Sequence, residues 1–205
     1  MTEKIDFKKT YASYQAKVSQ FELLTLESMR YLMIDGTGDP NTSPAYQHAL
    51  ETLYPVAYKL KFASKKDGRD YVVPPLEGLW WADDFASFTT QREKSLWCWT
   101  MMLMLPPWLD DGDVQRAVEA TQAGKTLPSL EQLRIETLVE HQCVQTLHVG
   151  SYDDEGPVLQ LMHEQFIPKH GLRLTGKHHE IYLGDPRRVA PEKLRTILRQ
   201  PVQSL

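Results

Sequence analysis

The sequence predicts an α+β protein made by tandem duplication of one small unit, and three observations carry that prediction. Two short apolar runs, a glycine-bearing loop, a helical stripe and further extended runs occur in that order at about 21–105 and again at about 133–183. Tyr31-Leu-Met-Ile-Asp-Gly36 aligns with Thr146-Leu-His-Val-Gly150 at the same point of each copy. A chain of 205 residues, 41% hydrophobic and 24% charged, is long enough for a sizeable core without metal or disulfide staples. Two such units usually pack as a pseudo-symmetric pair, and the seam between them is a natural pocket.

The elements follow in order. Residues 1–20 are polar with scattered Phe7, Tyr11 and Tyr14, and read as an N-terminal arm before a domain at 21–205. Phe21 to Ile34 reads as a β-hairpin turning at Glu27-Ser28, with Asp35-Gly-Thr-Gly-Asp-Pro40 as its exit loop. Tyr46, Leu50, Leu53, Ala57 and Leu60 form one apolar helical stripe, and Pro55 inside it predicts a kink or a break. Tyr71-Val-Val73, Leu79-Trp-Trp81 and Leu96 to Leu105 are extended, and Asp113 to Gln122 is a short helix with acidic residues at its start. Leu133 to Leu138 and Gln142 to Val149 read as a second hairpin turning at Glu140-His141. Leu159, Met162 and Phe166 mark a second helix stopped near Pro168, and a strand follows at His178 to Leu183. Residues 191–199 read as a C-terminal helix with Pro191 in its first turn and Leu194, Ile197 and Leu198 inward.

Composition excludes several classes. A formal charge of −4 argues against a general nucleic-acid binder or a polybasic membrane anchor. The basic cluster Arg187, Arg188, Lys193, Arg195 and Arg199 is diluted by Asp185 and Glu192 and reads as a solvated helix face. The N-terminus has no apolar signal region, and the stretch from Leu96 to Leu109 is broken by Pro106-Pro107 and too short to span a bilayer. Cys98 and Cys143 form no C-x-x-C pattern, which fits a reducing cytoplasm. There is no Walker loop, G-x-G-x-x-G, G-x-S-x-G or H-E-x-x-H, and the histidines show no zinc-type spacing, so neither cofactor nor metal is expected.

One strand stands out. In His178-His-Glu-Ile-Tyr-Leu183, alternation puts His179, Ile181 and Leu183 on one face and His178, Glu180 and Tyr182 on the other. A carboxylate at the centre of such a strand is costly to bury unpaired. It is either a salt-bridged or hydrogen-bonded core group or a functional carboxylate in a pocket. Aromatic residues favour the pocket: Trp80 and Trp81 take opposite faces of one strand, while Trp97, Trp99 and Met101 share a face of another. With Met162 and other methionines they suggest an adaptable, flat-walled cavity for a planar aromatic ligand.

The run Pro75-Leu-Glu-Gly-Leu-Trp-Trp81, together with Lys177-His-His-Glu-Ile-Tyr-Leu-Gly-Asp-Pro-Arg-Arg188 and Ala190-Pro-Glu-Lys-Leu-Arg195, resembles the GyrI-like small-molecule-binding family over about residues 18–202. The resemblance is to its stand-alone bacterial branch, which includes cyclopropanoid cyclopropyl hydrolases. It implies duplicated β-α-β-β (SHS2-type) units with a ligand groove between the halves. In multidrug-sensing regulators this module follows a helix-turn-helix domain, for which residues 1–20 are too short. The family's ligand-facing glutamate matches Glu180. The resemblance further implies hydrolysis of planar, strained-ring genotoxins without a cofactor. Glu180 would be the base and Tyr182 the orienting hydroxyl, with Trp80, Trp97 and Trp99 as walls. Tyr152 would close over the ligand, and Met101, Met162 and His178 complete the expected binding set. The alternative is a non-catalytic sequestering protein or gyrase inhibitor using the same groove. Exposed strand edges would suit a homodimer.

Overall fold

Most strands and helices form where expected, but the expected C-terminal helix is a strand and two of the strand partnerships differ from the simplest reading of the sequence. The computed structural model describes residues 4–82 and 93–205; residues 1–3 of the arm and 83–92 of the first repeat lie outside the described residues. The elements are α1 (Phe7–Thr10), β1 (Glu22–Thr25), β2 (Met29–Thr37), α2 (Pro44–Lys66), β3 (Leu76–Trp81), β4 (Cys98–Met104) and α3 (Asp111–Gln122). There follow β5 (Arg134–Leu138), β6 (Gln142–Val149), α4 (Gly156–Gln160), a π-helical turn at Leu161–Phe166, α5 (Ile167–Lys169), β7 (Leu172–Leu174), β8 (His178–Tyr182) and β9 (Arg195–Ser204). The described strands form one antiparallel sheet in the order β1-β6-β9-β8-β3-β4-β2-β5, with β7 on the end of β9.

That order is two copies of one half-sheet. β5-β2-β4-β3 and β1-β6-β9-β8 meet at the β3–β8 seam. Helix α2 lies over the first half, burying Ala49, Leu53, Val56, Ala57 and Leu60. The α4–α5 segment lies over the second, where Leu159, Met162 and Ile167 pack with Val144, Leu198 and Val202. The duplicated α+β architecture is thus as expected.

The expected hairpins are not hairpins. β1 pairs with β6 and β2 with β5, so residues 22–37 form one long, interrupted strand against the equally interrupted 134–149. Glu22 faces Gln145 and Met33 faces Arg134 in one continuous register, and between them Leu26 donates its N–H to the His141 carbonyl at 2.7 Å. The polar breaks at Glu27-Ser28 and Glu140-His141 therefore mark where the ribbon passes from one half-sheet to the other. His141 takes a positive φ of 55° there.

The C-terminal helix is also corrected. Only Pro191–Lys193 forms a 3₁₀ turn; residues 195–204 are β9, between β6 and β8. Burial on both faces, from Thr196 to Val202, removes the alternation that would have marked a strand. The second repeat accordingly runs past 183 to the end of β9. Arg199, assigned above to a solvated face, is fully buried. Of the kink or break expected at Pro55, the break does not occur: helix α2 is continuous from Pro44 to Lys66. Its buried stripe continues on both sides of the proline, and that packing outweighs a cost of about 3 kcal/mol. The arm docks on the sheet face opposite the helices, with Val18 bridging Leu147 and Tyr14 buried. Among the described residues no helix is long and apolar enough to cross a membrane.

Candidate functional site

Strand pairing decides which side chains meet. On the helix-bearing face, Gly78 sits opposite Glu180, Trp80 opposite His178 and Leu76 opposite Tyr182 across the seam. On the next strand Trp99 lies beside Trp80 and Met101 beside Gly78. The floor between α2 and the α4–α5 segment is thus Glu180, Gly78, Trp80, His178 and Tyr182, all drawn from strand alternation.

Glu180 is only 8% exposed. It accepts the Tyr182 hydroxyl proton on Oε2 at 2.8 Å, and Tyr182 in turn accepts the Trp80 Nε1–H at 2.8 Å. This chain fixes the direction of both polar hydrogens: the Tyr182 proton is committed to the carboxylate. Glu180 Oε1 faces His178 Nε2 at 3.5 Å. Burial first, and the Glu180 charge second, hold the Tyr182 phenol well above its ordinary pKa, so it stays a donor.

The chain needs Gly78. A Cβ there would sit 2.6 Å from Met101 Cε, 2.7 Å from Trp80 Nε1 and 3.0 Å from the Tyr182 oxygen. A glycine between large residues in a strand is the signal that could have identified it.

Rings enclose this floor. Trp97 stands edge-on to Trp80 at 5.7 Å, and Tyr152, at the start of the Tyr152–Glu155 turn, stands edge-on to Tyr182 at 5.6 Å. Tyr46 of α2 stacks on Trp80 at 6.4 Å and meets Trp99 edge-on at 5.4 Å. Burial, then Tyr152 and Glu180, raise the Tyr46 pKa, so its phenol is within electrostatic reach of both. Sequence reasoning read Tyr46 as part of a helix stripe, and nothing in the spacing separates it from a core residue.

The expected residues are therefore not all equivalent. Glu180, Tyr182, Trp80, Trp97, Tyr152 and His178 converge at the seam. Met101 is fully buried, and its Cε fills the space over Gly78 on the same face. Trp99 is fully buried over Gly36, and its indole N–H finds no acceptor among the described residues. Met162 lies in the apolar cluster under α4–α5, away from the seam.

Behind the seam, on the arm face, lies a second polar group that sequence reasoning missed. His179 Nε2 is 2.9 Å from Glu77 Oε2, and its Nδ1 is 2.9 Å from Glu140 Oε1. Arg199 donates to Glu140 at 3.1 Å, and Tyr14 donates to Glu77 at 2.6 Å. Glu77, His179 and Arg199 are all at 0% exposure. The buried-carboxylate reading offered for Glu180 thus describes Glu77 and Glu140 as well.

The model of the GyrI-like small-molecule-binding domain matches residues 19–203. A crystal structure of an uncharacterized conserved protein from Listeria innocua is 38% identical, with a TM-score of 0.88, covering 98% of this chain and 100% of that one. A second Listeria innocua structure, described as a hydrolase, is 38% identical with a TM-score of 0.84 and the same coverage. The EcmrR C-terminal domain shares the fold alone, at 13% identity and a TM-score of 0.56 over 91% of this chain and 98% of that one. No curated protein sequence matches.

Proposed function

Since the chain belongs to the GyrI-like small-molecule-binding family, we propose that the seam groove binds a planar aromatic electrophile and adds water to it, with Glu180 as the base. The observation carrying this reading is a buried carboxylate with one oxygen held by Tyr182, set among aromatic rings that pack closely because Gly78 has no side chain. The likeness to a Listeria hydrolase over nearly the whole chain supports water as co-substrate.

A cyclopropane conjugated to a dienone is the electrophile that suits these parts. Trp80 and Trp97 would hold the flat body. Water on Glu180 Oε1 attacks the ring methylene while Glu180 takes its proton. The methylene–ring bond breaks, and its electron pair passes into the dienone, which becomes a phenolate. Glu180 then returns its proton to the phenolate or to solvent. Because the Tyr182 proton is engaged, Tyr182 orients the base, and the donors for the developing oxyanion are Tyr46 and Tyr152. We take the protein to act as a cytoplasmic detoxifying enzyme. The outermost strands β1 and β5 are where a second copy would pair.

The test is incubation with a duocarmycin-type cyclopropanoid, followed by mass, beside Glu180→Gln. Gain of one water by wild type and none by the variant supports hydrolysis. Tight binding with no water adduct replaces it by sequestration, in which Glu180 acts as a counter-charge in an aromatic box.

A further inference from the structure

The buried polar group on the arm face closes into a ring that includes the N-terminal arm. Tyr14 donates to Glu77 Oε1, and Glu77 Oε2 meets His179 Nε2. His179 Nδ1 meets Glu140 Oε1, whose other oxygen accepts from Arg199 Nη1. Arg199 Nη2 donates to the carbonyl of Ser13, the neighbour of Tyr14 in the chain. Gln145 ties the arm a second time, donating to the Gln15 carbonyl at 2.8 Å while accepting from Arg199.

This ring stands directly behind the groove. Glu77 precedes Gly78 on β3, and His179 precedes Glu180 on β8. The Glu77–His179 contact therefore crosses the seam on one face beside the Gly78–Glu180 pair on the other. Any change in spacing that the ring imposes on these two strands is passed, through shared backbone, to the Trp80–Tyr182–Glu180 chain. We propose that Tyr14 and His179 are positioning residues of the groove: the ring they complete sets the strand spacing at which Trp80, Tyr182 and Glu180 bond to one another.

The ring has one protonation requirement. Both nitrogens of His179 face carboxylate oxygens, which only accept, so the ring is complete when His179 is doubly protonated. Its charged and titratable neighbours are Glu77 on β3, Glu140 between β5 and β6, Arg199 on β9, and Tyr14 and Tyr31 beyond Glu77. Two carboxylates then balance imidazolium and guanidinium. Burial alone would lower the His179 pKa, but the Glu140 charge and the hydrogen bonds to Glu140 and Glu77 raise it above 6.5. Positioning is thus lost as pH rises through the raised His179 pKa.

The proposal rests on the seam groove being the ligand site, yet its test needs no ligand. The Trp80 indole N–H resonance in ¹⁵N-labelled protein reports its bond to Tyr182, and the His179 ring nitrogens report their own titration. In wild type the Trp80 resonance is expected to shift with the His179 midpoint, above pH 6.5. In Tyr14→Phe it is expected to be displaced at neutral pH, with the fold intact. In His179→Gln it is expected to be flat over the same range. A Trp80 resonance that ignores the His179 titration, or that is unchanged in Tyr14→Phe, overturns the proposal. If His179→Gln does not fold, the other two measurements decide. Absence of turnover would count against hydrolysis and leave this inference standing.

Discussion

Arg199→Met is the substitution whose cost follows most directly from the structure. The guanidinium is fully buried and donates to Glu140, Gln145 and the Ser13 carbonyl. Methionine fills similar space and donates nothing, so three buried acceptors lose a donor and the two buried carboxylates, Glu77 and Glu140, keep only the His179 imidazolium to balance them. Breaking one side of a buried ion pair costs about 3–5 kcal/mol. At roughly 2–4 °C per kcal/mol for a chain of this size, the melting temperature should fall by about 6–20 °C. The assay is thermal unfolding at pH 6, with Arg199→Met/Glu140→Gln alongside. Neutralising Glu140 should recover part of the loss, because much of the cost is desolvation of a charge that has lost a partner. A fall of under about 3 °C, or a double variant no more stable than the single, would refute the view that this cluster is held by charge compensation.

Four further outcomes are expected. Stability should peak between about pH 4.5 and 6.5. The raised His179 pKa gives a contribution that is full below 6.5 and lost as pH rises through the folded value. The Glu140 pKa, depressed from 4.5 to about 2 because its partners His179 and Arg199 outweigh burial, gives one that is full above 4.5 and lost as pH falls toward 2. Melts across pH in wild type and His179→Gln check this, and an unchanged alkaline limb in the variant would rule it out. Gly78→Ala should cost about 1–3 kcal/mol by overpacking and displace the Trp80 indole resonance, since the atoms it meets are movable side-chain ends. On the proposed hydrolysis, Tyr182→Phe should slow turnover of a cyclopropanoid by about 10–100-fold with little change in KM, the worth of a hydrogen bond to a charged group. Asp110→Ala removes the capping box it forms with Asp113 at α3 and should cost about 1 kcal/mol in a denaturant melt.

How far the sequence leads is set by which interactions leave a periodic trace. Helix α2 is legible because its stripe is long, and β8 because β-branched Ile181 and aromatic Tyr182 sit in a short run between Gly176 and Gly184. The pairing of β1 with β6 and of β2 with β5 is not legible. Short polar breaks look alike whether the chain turns back or passes on, and only long-range partners decide. β9 was hidden because both of its faces are buried, which erases the two-residue period. At the site, Glu180 stood out as a carboxylate at a strand centre beside β-branched Ile181 and aromatic Tyr182. Glu77, Glu140 and Arg199 did not, because each looks like an ordinary surface charge until three distant segments bring them together.

The site also lies where the two copies depart from each other. Matching Gly36 to Gly150 places Ile34 on His148 and Leu32 on Thr146, hence Met101 on Thr196 and Leu103 on Leu198. The seam strands follow: Leu76 matches Glu180, and Gly78 matches Tyr182. The same cross-strand pair therefore occurs twice on the helix face, once as Leu76 with Tyr182 and once as Glu180 with Gly78. Where one copy keeps a large ring the other has no side chain at all, and where one keeps an aliphatic the other carries a charge. Glycine makes room for the tyrosine hydroxyl to turn toward the glutamate, so the polar chain exists because symmetry is broken at both positions. Restoring symmetry at either one, by a side chain at Gly78 or an aliphatic at Glu180, should close the groove chemically while leaving the duplicated sheet intact. That separates the requirements of the fold, which the two copies share, from those of the site, which they do not.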